Sequence, residues 1–335
     1  MILIDALHIN SSGGKILLDY LIDNLEKTSL PIFYLLDKRI DGNIPPIKKE
    51  NKVVYLQASL FTRKQFYKSH KDDFEKILCF GNLAPSYRTS AQVYTYFHQQ
   101  LYIQLPKDSS VKLKISFFLK KIIFRSLKEN TDYWMVQTDL INFNFRKAFG
   151  VDKRKVLTMP FYPELQSKEN FERKKHTYLY VSNVSAHKNH MRLINAFCSF
   201  YEEYQKGELI LTVGEEKIEL VSLIKEKIEK KYPIRNLGFI PRQQLAKVYQ
   251  ESEYLIYPSL AESFGLGLVE AIENGCKVIG ADLPYTYAVC EPSLTFDPLD
   301  EQSIYKSLSL SLQQTVKPSI TKVFNSIDEI VRLLT

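Results

Sequence analysis

A chain of 335 residues exceeds one typical domain and favours two cores of roughly 100–200 residues each. Its 45% hydrophobic and 25% charged residues exclude a disordered or fibrous chain, and no apolar run approaches the roughly 18 residues needed to cross a bilayer. The net charge of +7 leaves two partners open, nucleic acid or an anionic membrane surface, and where the charge sits separates them.

The opening MILIDAL lacks the basic region and cleavage site of a signal peptide, so a cytoplasmic protein is expected, with the inner face of the cell membrane as the alternative. ILIDAL has the unbroken apolar character of a buried parallel strand and runs through HINSSGG into the periodic KILLDYLIDNLEK, which reads as strand, glycine loop, helix. Gly13 and Gly14 do not fit GxGxxG, which counts against a dinucleotide site. Further strands are expected at IFYLLD, VVYLQ, ILCF, VYTYFH and YWMVQ, alternating with helices such as the one after Phe61, so an α/β lobe with a mostly parallel sheet follows.

The positive charge gathers in KLKISFFLKKIIFRSLK, Lys112 to Lys128. On a helix, Ile115, Phe118, Leu119 and Ile122, with Phe117 or Phe124, make an apolar stripe flanked by Lys112, Lys120, Lys121, Arg125 and Lys128. Two readings stay open: a helix lying in an anionic membrane interface, and a core-facing helix with snorkelling lysines. No RNP, KH or helix-turn-helix pattern supports nucleic acid.

The proline-bearing, aperiodic text after Val156 places an interdomain linker at 161–175, between a first domain 1–160 and a second 176–335. The second alternation runs TYLYVSN, helix MRLINAFCSFYEEY, ELILTV, helix KIELVSLIKEKIEKKY, IRNLGF, helix RQQLAKVYQ, YLIYP, a helix ending near Gly275, and KVIGA. It does not repeat the first half residue for residue, and the last helix, SIDEIVRLLT, suits either domain. Cys79, Cys198, Cys276 and Cys290 are scattered in apolar strings and read as buried free thiols.

The chemistry concentrates between Glu251 and Asp282. Strand YLIYP leads into the loop AESFG and the helix GLVEAIEN, with Gly275 suited to the left-handed position that ends it. Ligands of open α/β sheets sit beyond the carboxyl ends of strands, where a helix N-terminus attracts anions. Glu262 in the loop and Glu270 in the helix reach one ligand from different heights; alone, each is as readily a solvated carboxylate or a helix-dipole partner.

This segment resembles glycosyltransferase family 4, retaining transferases of the GT-B fold, whose signature is Glu-x7-Glu within PS-x-x-E-x-F-G-x-x-x-x-E-A-x-x-x-G. Pro258, Ser259, Glu262, Phe264, Gly265, Glu270, Ala271 and Gly275 fall into that frame, and YVSNVSAHKN, LGFIPRQQLAKVYQESEYLIYPS and VIGAD extend it over most of the second half. The resemblance implies two Rossmann-like α/β/α domains facing each other across a cleft, the first binding the acceptor and the second the nucleotide-sugar. It implies a hexose-type sugar moved with retention from a UDP-sugar or GDP-sugar to a glycan or polyprenyl-diphosphate-linked acceptor, in O-antigen or capsule assembly, with no cofactor and no metal.

By the same resemblance Glu270 holds the ribose hydroxyls and Glu262 those of the transferred sugar, while the backbone N–H groups of Ser263, Phe264, Gly265 and Leu266 meet sugar or diphosphate. Lys188 matches the lysine that neutralises the donor phosphates, but the arginine expected five residues earlier is Asn183, for which His187 or Arg192 stands as compensation. Gly13 and Gly14 match a loop approaching the diphosphate, and His98 matches a histidine near the donor sugar. Phe239 and Ile240 are placed near the base by position alone. Without the resemblance, two glycines are a turn, His98 a hydrogen-bonded structural residue and Lys188 a surface cation; His187 and His190, spaced i, i+3, lack further zinc ligands. A glycoside hydrolase is disfavoured because both glutamates come from one loop and its helix. A GT-B sugar-nucleotide epimerase and a silent nucleotide-sugar-binding subunit are the rivals.

Overall fold

Runs such as ILIDA and IFYLLD are apolar at all but their aspartates, Asp5 and Asp37, because parallel strands are covered on both faces. In the computed structural model, which describes residues 1–105, 109–165, 169 and 171–335, every residue of those two strands is buried. The chain divides into two units, Met1–Pro163 with Phe324–Thr335, and Glu164–Val323.

The first unit is built on seven parallel strands: β1 (Ile2–Ala6), β2 (Ile32–Asp37), β3 (Lys52–Leu56), β4 (Lys76–Cys79), β5 (Gln92–Tyr96), β6 (Tyr133–Val136) and β7 (Val156–Thr158). Their order is β3-β2-β1-β4-β5-β6-β7. Helices α1 (Ser12–Leu25), α2 (Leu60–His70), α3 (Val111–Leu127) and α4 (Asp139–Phe149) connect them. One core gathers Trp134, Phe97, Phe124, Phe145 and Phe149. Beneath β1 and β4 a fully buried ion pair joins Arg63 of α2 to Asp5, and Tyr67 donates to the same carboxylate at 2.8 Å. Such a pair is retained at this depth because every charged atom has a partner.

The second unit holds β8 (Lys174–Tyr180), α5 (His190–Tyr204), β9 (Glu208–Leu211), α6 (Ile218–Glu229), β10 (Ile234–Asn236), α7 (Arg242–Glu251), β11 (Ser252–Tyr257), α8 (Leu266–Glu273), β12 (Lys277–Ala281), α9 (Pro284–Val289), β13 (Cys290–Glu291), β14 (Leu294–Phe296), α10 (Glu301–Gln313) and β15 (Ile320–Thr321). Its main sheet is parallel in the order β10-β9-β8-β11-β12-β14, and β13 pairs antiparallel with β15. Helix α11 (Ile327–Leu334) belongs to the first unit, where it buries Ile327, Ile330 and Leu334 and packs against α1 and β4.

Part of the expected linker, 166–168 and 170, lies outside the described residues. The expectation of a linker from 161 needs correction at its start. Phe161 and Tyr162 are buried, and the Phe161 ring lies 5.2 Å from that of Tyr96 and 5.9 Å from that of Phe80. The prolines flanking this pair hid an apolar core segment. At the other end, Lys174 and Lys175 already belong to β8.

The run 112–128 is a helix, but its apolar residues do not share one fate. Phe117 and Phe124 enter the core, whereas Ile115, Phe118, Leu119 and Ile122 are each about half exposed or more. Among the described residues no helix is long and apolar enough to cross a membrane. All four cysteines are buried and free.

Candidate functional site

In the second sheet the order of connection reverses between β8 and β11, and ligands of such folds bind beyond the strand ends at that point. The segments leaving those two strands carry Lys188 and Glu262. Tyr180, at the end of β8, donates to the carbonyl of Lys188 at 2.8 Å and shares a hydrogen bond of 3.0 Å with Ser259 Oγ. Leu260 N donates to the His187 carbonyl at 2.7 Å. These bonds stitch the two loops together and bring Lys188 Nζ to 2.5 Å from Glu262 Oε1, both side chains being more than four-fifths buried. Tyr257 OH donates to the same carboxylate oxygen at 3.0 Å.

Glu270 sits one turn into α8 and is almost completely buried. Burial pushes its carboxyl pKa up, opposed by Arg242, whose Nη1 forms an ion pair with Oε1, and by Tyr249, whose hydroxyl donates to Oε2 at 3.2 Å. Arg242 opens α7, which packs against α8. Gly267 lies between the two pairs: a Cβ there would stand 3.3 Å from Tyr257 Cε2 and 3.5 Å from Tyr249 OH. The helix thus runs close against Tyr257, whose ring would have to give by a few tenths of an ångström to admit a Cβ, while Tyr249 lies at ordinary contact distance.

Helix α8 begins at Gly265, whose φ of +78° lies in the left-handed region and whose added Cβ would meet Leu268 Cδ1 at 3.0 Å. In its first turn the N–H of Leu268 reaches the Gly265 carbonyl at 2.8 Å, and the N–H groups ahead of it precede the helical ladder, following the loop of Ser263 and Phe264. At the far end the N–H of Cys276 reaches the Ala271 carbonyl and that of Gly275 the Ile272 carbonyl, at 2.8 and 2.9 Å, a Schellman closure with Gly275 at φ +79°. The site therefore holds two carboxylates, two cations and a helix N-terminus, a set able to bind vicinal hydroxyls and a diphosphate together.

His187 lies in the loop beside Lys188, within electrostatic reach of Glu262, and Arg192 stands in the first turn of α5. Arg192 donates to Asn189 Oδ1 at 3.0 Å, and Asn189 in turn donates to the carbonyls of Pro258 and Pro298. The His190 ring is buried against Tyr180, which lowers its pKa to about 4, and Lys188 adds to that shift. Burial, then Lys188, lowers that of His187. Asn183 is exposed in the loop after β8, its carbonyl accepting from Ser182 Oγ. Among the described residues no three histidines, cysteines or carboxylates could hold a metal ion. Phe239 is 85% exposed in the loop after β10, beside Ile240.

In the first unit Gly13 and Gly14 were expected in a loop; instead they form the first turn of α1, because Ser12 at φ +57° turns the chain into the helix earlier. A Cβ on Gly14 would lie 3.3 Å from His98 Cε1, while Gly13 has open space. Gly14 and His98 are thus neighbours. His98 stands between Phe80 and Tyr96, its backbone N–H bonded to Asn82 Oδ1 at 2.8 Å, and its buried Nε2 has no hydrogen-bond partner among the described residues. Burial lowers its pKa to about 4, so the ring is neutral near pH 7.

Arg242, Tyr249 and Tyr257 were missed in sequence as site residues. Arg242 stands 28 positions before Glu270, and no short-range spacing links them; the run LGFIPRQQL carried the only signal, and it pointed to the framework as a whole.

Two parallel-sheet α/β domains of this kind define the GT-B class, and the likeness to solved structures agrees: sucrose-phosphate synthase from Thermosynechococcus elongatus superposes with a TM-score of 0.73 at 17% identity, over 93% of this chain and 89% of that one. Residues 161–291 match the family described as "Glycosyl transferases group 1", so this part of the chain carries a glycosyltransferase domain. The chain is 32% identical over 152 residues to the UDP-N-acetylglucosamine–peptide N-acetylglucosaminyltransferase GtfA subunit of Streptococcus agalactiae, over 44% of this chain and 29% of that protein. It is 30% identical over 139 residues to the O-antigen chain mannosyltransferase B of Escherichia coli, over 40% and 36%. The matched stretches thus span about a third of the length of these curated relatives.

Proposed function

We propose that the chain is a family 4 retaining glycosyltransferase that moves a hexose-type sugar from a UDP-sugar or GDP-sugar to a glycan or lipid-linked acceptor in bacterial surface-polysaccharide assembly. The observation that carries this reading is the pairing of Glu262 with Lys188 and of Glu270 with Arg242 at the switch point of the second sheet, either side of the α8 N-terminus. The glycosyltransferase domain and the names of the relatives, one a UDP-N-acetylglucosamine enzyme and one an O-antigen mannosyltransferase, support it.

In this reading Glu270 accepts from the two ribose hydroxyls, Arg242 keeping the buried carboxylate charged, and the base lies by Phe239 and Ile240. Glu262 holds hydroxyls of the sugar. Lys188 has three N–H donors, so it retains Glu262 while reaching a phosphate oxygen. As the anomeric C–O bond breaks, negative charge grows on the diphosphate, and Lys188 with the N–H groups of Gly265 and Leu266 stabilises it. The protein supplies this charge itself, with no metal required. The exposed apolar stripe of α3, flanked by lysines, contacts the anionic face of the membrane.

The test is thermal unfolding with UDP or GDP. A nucleotide at about 100 times its Kd raises stability by roughly 2.7 kcal/mol; the shift should appear with one nucleotide, survive EDTA and vanish in Glu270→Ala. A shift unchanged in that variant removes the site assignment. Turnover of a nucleotide-sugar without any acceptor would favour an epimerase instead.

A further inference from the structure

Arg173 stands immediately before β8, and its guanidinium binds the carboxyl ends of two helices at once. Nη2 donates to the carbonyl of Asn274, which caps α8, at 2.7 Å. Nη1 donates to the carbonyl of Ser252, which caps α7, and lies 3.5 Å from that of Tyr249 in the last turn of α7. The final carbonyls of a helix lack intrahelical partners and carry its negative end, so a cation there is favourable. The planar fork of arginine spans two such groups, as the single ammonium of lysine does not.

Gly275 makes room for this arrangement: a Cβ there would stand 2.8 Å from Arg173 Nη2. The chain leading into β8 is fastened to the same helices twice more. Lys247 of α7 lies over the Phe171 ring, 5.0 Å from its centroid. Asn274 Nδ2 donates to the Leu165 carbonyl at 3.0 Å and to the Glu270 carbonyl at 2.9 Å. Away from this clamp the same two helices form the Glu270 pair, Arg242 opening α7 and Glu270 lying on α8. Tyr249 takes part in both: its carbonyl faces Arg173, while its hydroxyl donates to Glu270 Oε2 at 3.2 Å. A shift of α7 against α8 therefore moves Arg242 and Tyr249 together relative to a buried carboxylate.

We propose that Arg173 is a positioning residue of the nucleotide site: by joining the carboxyl ends of α7 and α8 it sets the spacing at which Arg242 and Tyr249 meet Glu270. The inference rests on the reading of Glu270 as the residue that holds the ribose, and it adds a residue outside the site that governs that contact.

The experiment titrates the full chain with UDP and GDP up to millimolar concentration, unaltered and as Arg173→Gln, Arg173→Lys, Arg242→Gln and the double variant Arg173→Gln with Arg242→Gln. Arg173→Gln should weaken the nucleotide that binds by about fivefold or more, and Arg173→Lys should not restore it. Once Arg242→Gln has removed the pair, adding Arg173→Gln should weaken binding by less than about a further twofold. A thermal midpoint measured without nucleotide shows that each variant is folded. Should Arg173→Gln fail to fold, Arg173→Lys, which keeps a cation at the helix ends, takes its place in both comparisons. Unchanged affinity in either Arg173 variant, or the same factor of loss with and without Arg242, overturns the proposal, since a residue that only stabilises the unit lowers the midpoint without that coupling. Binding by the unaltered chain that Glu270→Ala abolishes tests the donor-site reading separately. With it in place a failed Arg173 comparison sinks only this inference, whereas no binding by the unaltered chain sinks both.

Discussion

At the scale of single residues, each carboxylate of the site is bonded to one cation and one tyrosine, and that pairing decides what a substitution does. Removing Arg242 leaves the buried Glu270 without the cation it pairs with, Tyr249 still donating to it, an arrangement that costs several kcal/mol unless the carboxyl takes up a proton. Glu262 is somewhat less enclosed than Glu270, its side chain 12% exposed against 5%, and its partners are Lys188 and Tyr257. Glu262→Gln should therefore lower transfer about 10- to 1,000-fold while changing nucleotide affinity less than fivefold, as kcat and a nucleotide titration would show. His98 yields a pH prediction. Its folded pKa is near 4 and that of a free histidine near 6.5, so between these values the unfolded chain binds more protons and folding stability falls as pH drops. His8, also lowered by burial, then by Arg63, acts in the same direction. The only tryptophan, Trp134, lies in this unit. Its urea-unfolding midpoint should decline from pH 6.5 to 5, and His98→Gln should flatten that decline; an identical slope in the variant would show that His98 does not titrate on unfolding.

Among elements, α8 and α3 show how a helix takes on a role beyond packing. Helix α8 has glycine at its cap, within its first turn and just past its end, and each serves a distinct requirement: the left-handed start at Gly265, the close approach of Tyr257 at Gly267, and the Schellman closure at Gly275. Helix α3 carries two apolar faces. The sequence put Ile115, Phe118, Leu119 and Ile122, with Phe117 or Phe124, in one stripe, but both phenylalanines are buried and it is they that meet the core. The remaining four are exposed on the helix that also carries Lys120, Lys121 and Arg125, and the proposed membrane contact rests on them. Replacing Lys120, Lys121 and Arg125 with glutamate should reduce association with vesicles rich in anionic lipid by about tenfold or more, since each basic residue near such a surface contributes about 1 kcal/mol. Equal partitioning in a sedimentation assay would dismiss membrane contact through this helix.

Over the whole molecule, the last residues of the chain return to the first unit. Ser326 N donates to the Pro160 carbonyl at 2.7 Å, Asn325 to the Tyr162 carbonyl at 2.8 Å, and Lys76 to the Leu333 carbonyl at 3.0 Å. With Ile327, Ile330 and Leu334 buried, at roughly 1.5–3 kcal/mol each, α11 contributes several kcal/mol to that unit. A chain ending at Val323 should lose the Trp134 transition at lower urea yet still respond to nucleotide through the second unit. An unshifted Trp134 midpoint would mean that α11 is dispensable to the first core.

Much of this was legible in the amino-acid order alone. Continuous apolar runs announced parallel strands, periodic stretches announced helices, and the frame from Pro258 to Gly275 placed Glu262 and Glu270 beyond a strand end, because period, chirality and glycine conformation are local properties. Short β7 and the pair Phe161–Tyr162 were not, being too brief to show a period and enclosed by prolines. The partner of Glu270 was hidden for a related reason: Arg242 reaches it only once α7 packs on α8, and a contact across 28 residues leaves no mark on local pattern. Likewise only folding could divide the apolar residues of α3 between core and solvent, or set His98 against Gly14, since burial is decided by what the rest of the chain brings alongside. Sequence thus determined the elements and the chemical types at the site; the tertiary structure decided which of them meet.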